Sequence, residues 1–114
     1  MVDASVKGDD LKYFALLYYV VEDFVARRAP HREVHLRLAQ EAHRRGDLVL
    51  AGAFSDPADR ALLVFRTSNA SVVEDFARND PYVINRLVTR WEVRPWTVVI
   101  GDAASGATPI GGVR

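Results

Sequence analysis

Asp47-Leu48-Val49-Leu50-Ala51-Gly52-Ala53-Phe54, then Ser55-Asp56-Pro57-Ala58-Asp59-Arg60, then Ala61-Leu62-Leu63-Val64-Phe65-Arg66-Thr67: two apolar runs enclose a block of turn formers, the pattern of two strands joined as a hairpin. One helix is expected on each side of it. Upstream, Ala29-Pro30 opens a helix in which polar residues dominate from His31 to Arg45. Gly46 then follows Arg44 and Arg45, placing cations against the helix dipole and a glycine past the end. Downstream, Asn69 or Ser71 can cap a second helix, with Ser71-Val72-Val73-Glu74 as a candidate capping box and Val72, Val73, Phe76 and Ala77 as its apolar positions. That helix must stop at or before Asp80, because Pro81 disfavours helical φ/ψ in the residue preceding it.

Two outer strands complete the pattern. Leu11 to Val21 mixes aromatic and β-branched residues without helical spacing, as a largely buried strand does. Val88 to Ile100 reads as a long final strand, with Pro95 marking a bulge or an edge. The order strand, helix, strand, strand, helix, strand is the split βαββαβ, ferredoxin-like arrangement of an α+β protein with an antiparallel sheet. Both helices then cover one sheet face and leave the other open. A chain that is 49% apolar is expected to cover that face with a second copy, giving a homodimeric α+β barrel. The domain is expected over residues 11–101, between flexible segments at 1–10 and 102–114.

Composition narrows the function classes. Fifteen basic residues balance fifteen acidic ones, so no global field favours nucleic acid or an anionic membrane surface. The longest apolar run, Tyr13 to Val21, is too short to cross a bilayer, and the first residues lack the apolar stretch of a signal peptide. These features read as cytoplasmic. With no cysteine in the chain, thiolate nucleophiles and cysteine-ligated metals are excluded. No phosphate loop, nucleophile elbow or dinucleotide fingerprint occurs, so no cofactor is expected. His31 and His35 share i, i+4 spacing, but Glu33 points elsewhere and no third ligand is local, so no metal is expected either. His43 lies toward the helix end and reads as solvated.

Two residues carry the chemical interest. His35 shares the inward stripe of the first helix with Leu38, Ala39 and Ala42. It is either a core histidine satisfied by a backbone carbonyl or a proton-transfer group. Asp80 is either a local turn acceptor at a helix exit or a fixed carboxylate with a functional partner. Arg32, one turn before His35, either pairs with Glu33 or Asp47 at the surface or holds an anionic oxygen. Tyr82 either packs at the helix exit or lines a pocket. Phe14, Tyr18, Trp91 and Trp96 read as core and dimer-interface residues rather than ligand contacts, with the alternative that inward aromatics shape an apolar cavity.

Taken in order, Arg32-Glu33-Val34-His35, the strand Leu48 to Phe54, Asp80-Pro81-Tyr82-Val83 and Val93-Arg94-Pro95-Trp96 resemble the signatures of the YCII-related (YciI-like) family from about Leu11 to Gly101. One departure is Gly52-Ala53-Phe54, where many members have Gly-Pro. The resemblance implies a dimeric α+β barrel with a His-Asp pair in a pocket, which by motif match is His35 and Asp80, with Arg32 as the arginine before the histidine. Such a carboxylate would hold one imidazole nitrogen as a donor and leave the other for proton transfer. The implied chemistry is cofactor-independent elimination, isomerisation or hydrolysis of a small oxygenated, cyclic compound. The family's best-defined activity is dehydrochlorination of a chlorinated hydroxyhydroquinone, so the expected class is lyase-like or hydrolase-like. The alternative is a non-catalytic module that retains a small ligand without transforming it.

Overall fold

A computed structural model describes residues 10–101 of the chain. The expected terminal segments, 1–10 and 102–114, lie outside the described residues apart from Asp10. The four strands are β1 (Lys12–Val20), β2 (Leu48–Ala53), β3 (Arg60–Thr67) and β4 (Val88–Trp96). They form one antiparallel sheet in the order β2-β3-β1-β4. Short helix α1 (Phe24–Arg27) and helix α2 (Arg32–Arg44) connect β1 to β2; helix α3 (Ala70–Asn79) and short helix α4 (Pro81–Ile84) connect β3 to β4. This is the ferredoxin-like α+β architecture expected from the element order.

One face of the sheet carries the core. Phe14, Leu16 and Tyr18 of β1 and Ala61, Leu63 and Phe65 of β3 join Ala39 and Ala42 of α2 and Val73, Phe76 and Ala77 of α3 in a single buried cluster. These are alternate positions on each strand, as a pleat with one face against helices demands. The opposite face of β1 presents Tyr13, Ala15, Leu17 and Tyr19.

The helix ends follow local chemistry. At α3 the choice between two caps falls to Asn69, whose side chain accepts from the Ser71 amide at 3.0 Å. Ser71 is therefore inside the helix and the Ser71-to-Glu74 box is not the cap. Proline in Ala29-Pro30 sits in a 3-10 turn, Ala29–His31, so the α-helix itself begins at Arg32. Helix α2 ends with the Gly46 amide donating to His43 C=O and the Asp47 amide to Ala42 C=O, both at 3.0 Å, a Schellman closure that needs Gly46 in the left-handed region at φ 91°.

Two expectations are corrected, and the choice of bulge or edge at Pro95 falls to the edge. The last strand stops at Trp96 rather than Ile100, because Trp96 already lies opposite Tyr13 near the start of β1. Pro95 pairs with Phe14 in regular register, tolerated because β4 is an edge strand; the register shift lies at Tyr19/Val20. His43 is exposed but not merely solvated, since its Nδ1 donates to the Leu48 carbonyl at 2.7 Å. No helix among the described residues is long and apolar enough to cross a membrane.

Candidate functional site

The site grows from the break between α3 and α4. Pro81 forces Asp80 out of the helix, to φ −75° and ψ 124°, and the Asp80 side chain then caps α4 by accepting from the Tyr82 amide at 2.9 Å. Its local turn role is therefore real. It accounts for only part of the carboxylate, which is fully buried and has further acceptor capacity to satisfy.

Two side chains distant in sequence fill that capacity. Tyr18, on the covered side of β1, donates its hydroxyl to Asp80 Oδ2 at 2.7 Å. His35 Nδ1 lies 2.9 Å from Oδ1 and 3.0 Å from Oδ2. A carboxylate on one side of the ring makes Nδ1 the donor and leaves Nε2 with the lone pair. The His35 side chain is 13% exposed, and its Nε2 has no hydrogen-bond partner among the described residues. The ring is further fixed by stacking on Tyr82, with centroids 3.9 Å apart and planes 13° from parallel. Tyr82 in turn meets Phe24 edge-on at 5.3 Å.

These groups open onto a cavity of about 180 Å³ between α1, α2, α4 and the sheet, lined by Tyr18, Phe24, Arg28, Arg32, His35 and Tyr82 on the chemical side. Its far wall is small: Ala51, Gly52 and Ala53 of β2 and Ala61 of β3. The segment Gly52-Ala53, where the chain departs from the common Gly-Pro, is thus part of the wall.

Burial pushes the Tyr18 hydroxyl far above the usual tyrosine range, and the charge and hydrogen bond of Asp80 push in the same direction. Burial also raises Tyr82, opposed by the positive charges of Arg28 and Arg32 and reinforced by Asp80. Tyr18 therefore stays a proton donor to the carboxylate across the physiological range.

Of the four residues singled out from the sequence, His35, Arg32 and Tyr82 line this cavity, and Asp80 lies fully buried behind them, in contact with His35. The alternative surface pairing of Arg32 is not formed: Glu33 pairs with Arg37 at 3.5 Å and Asp47 with Arg45 at 3.0 Å. Two further polar residues belong to this cavity. Tyr18 is a core residue that also shapes the cavity, as the alternative for the inward aromatics allows; its hydrogen bond to Asp80 is what the sequence does not announce. Arg28 precedes the α-helix, between α1 and the 3-10 turn, so no helical period groups it with Arg32 and His35. Of the other aromatics, Phe14 is in the core, Trp91 packs against it, and Trp96 is 46% exposed. Among the described residues, no group of three or more His, Cys, Asp or Glu side chains is brought together as metal ligands.

The family model of the YCII-related domain matches residues 12–97. Among solved structures, the chain is similar to 5-chloro-2-hydroxyhydroquinone dehydrochlorinase from Burkholderia phenoliruptrix AC1100, determined in complex with 2,5-dihydroxybenzoquinone. The match has a TM-score of 0.65 at 15% identity and covers 75% of this chain and 94% of that one, a likeness of fold. No curated protein matches the sequence.

Proposed function

This chain belongs to the YCII-related family, and from the geometry of its cavity we propose that it is a small-molecule enzyme in which His35 is the general acid and base. Asp80 holds and orients the imidazole, while Arg32 and Tyr82 bind substrate oxygens. The observation supporting this reading is the buried carboxylate clamped on Nδ1 of a cavity-lining histidine. That contact fixes the tautomer and presents Nε2 as a base. A satisfied core histidine would need no cavity beside it.

The substrate is a small oxygenated compound, cyclic by the size and flatness of the site. Nε2 takes a proton from an acidic O–H or C–H, and the electron pair released moves into the ring system. In an elimination that pair expels a leaving group as its anion; in an isomerisation the imidazolium returns the proton to another atom. Charge developing on oxygen faces the Arg32 guanidinium, whose fork matches such groups. The similar dehydrochlorinase makes chlorinated hydroxyhydroquinones the first compounds to try.

A screen of such compounds, with phenols and lactones, is expected to give turnover that His35→Asn abolishes while circular dichroism shows the fold retained. Ligand binding without turnover across the panel would replace this reading with that of a retaining module. We further propose that the protein is a homodimer joined through the open sheet faces. Leu50, 61% exposed on that face, and the half-buried Ala15, Leu17 and Leu62 support this association.

A further inference from the structure

Arg28 is the cavity group that the proton chemistry leaves without a task. It sits between α1 and the 3-10 turn, half-buried, with its guanidinium carbon 5.3 Å from the centre of the Phe24 ring. Stacking of this kind positions a guanidinium while leaving its N–H donors available at the edge. Arg32 follows one helical turn later on the same wall.

Neither cation is compensated. Among the described residues, no carboxylate lies within 4.0 Å of Arg28 or Arg32, while Asp23 pairs with Arg27, Glu33 with Arg37 and Asp47 with Arg45. Asp80 is buried behind the cavity wall, and its oxygens are taken by Tyr18, His35 and the Tyr82 amide. A third group points the same way. Tyr82 is 4% exposed, yet its hydroxyl has no hydrogen-bond partner among the described residues. Both guanidinium charges act on that hydroxyl, so the three donors share one neighbourhood. A hydroxyl and two guanidinium groups lining one cavity offer several donors and no carboxylate, so an anionic acceptor is the complementary ligand.

We infer that Arg28, with Arg32 and the Tyr82 hydroxyl, forms a two-cation recess that selects a planar substrate bearing two anionic oxygens, Arg28 being the residue that sets the preference for a second charge. The size agrees: an apolar cavity of about 150 Å³ holds benzene, so about 180 Å³ takes one six-membered ring with small substituents. The stacked His35 and Tyr82 rings supply a flat surface for it. This inference rests on the cavity being the substrate site, as in the function proposed above, but it concerns charge recognition and not proton transfer.

Equilibrium titration followed by visible absorbance tests it, with 2,5-dihydroxybenzoquinone as the dianionic probe and 2-hydroxy-1,4-benzoquinone as the monoanionic one. The wild-type chain is expected to bind the dianion at least about tenfold more tightly. Losing one charge-assisted contact in Arg28→Gln should weaken the dianion by about tenfold to a hundredfold and the monoanion by less than about threefold. Arg28→Lys should recover part of the loss, and Arg37→Gln, outside the cavity, should change neither. Unchanged dianion binding in Arg28→Gln, an equal loss for both probes, or no binding of the dianion by the wild type would each overturn the inference. His35→Asn should keep the preference while losing turnover, so the two proposals fail separately.

Discussion

The two faces of the sheet differ most clearly along β1, where neighbouring residues meet opposite surroundings. Phe14, Leu16 and Tyr18, at 5%, 0% and 1% exposure, point at the helices, while Ala15, Leu17 and Tyr19 between them stay half-buried on the other side. On the covered face even a carboxylate is tolerated, because Tyr18, His35 and a backbone amide supply three donors to it. On the open face polar groups stay at the rim: Tyr19 donates to Glu92 at 3.3 Å and the Arg90 guanidinium lies 3.9 Å from the centre of its ring. The covered face thus concentrates polarity at one buried point beside the cavity. The open face spreads polarity around an apolar middle and leaves a surface.

The strongest way to break this contrast is Asp80→Ala, which strands the buried Tyr18 hydroxyl and the Tyr82 amide at once. It is expected to cost about 3–5 kcal/mol in urea denaturation; a loss below about 1 kcal/mol would mean the carboxylate is not integral to the covered face. Leu16→Ala should cost about 3 kcal/mol at any protein concentration. Leu17→Asp, one residue along, should leave the fold intact by circular dichroism and shift the proposed dimer to monomer in light scattering. A wild type that is monomeric at micromolar concentration would remove the partner from the open face.

Alkaline pH sharpens the comparison further. The Tyr18 value is raised in the folded state, so its contribution is fully present below the unfolded value near 10 and is lost as pH climbs above it. The slope is about 1.4 kcal/mol per pH unit, and Tyr18→Phe should remove it from the pH dependence of urea midpoints. Tyr19→Phe, on the other face, should leave the slope in place. The smallest expected effect is Asn69→Ala, which loses the α3 cap for about 1 kcal/mol and should leave ligand binding at the distant cavity unchanged.

Much of this was legible because it is local. Turn formers at Ser55 to Arg60, the Arg44-Arg45-Gly46 ending and the Asp80-Pro81 break each act within a few residues, and together they give the element order. What escaped depends on distance or brevity. Tyr18 meets its acceptor 62 residues away, so its sequence neighbourhood speaks only of core. Helix α1 spans four residues and has no side-chain cap, too short for any period to declare itself, and Arg28 was overlooked with it. The extent of β4 was set by the length of β1, a property of a different segment.

One amide inherits an unusual vantage. Because the Tyr82 N–H ends on Asp80 Oδ1, its solvent hydrogen exchange is slowed by the same carboxylate that grips His35. Its protection factor therefore reports, at a single resolved resonance, whether the dyad is assembled, and a ligand that tightens the cavity should slow that one exchange rate before any substrate has been identified.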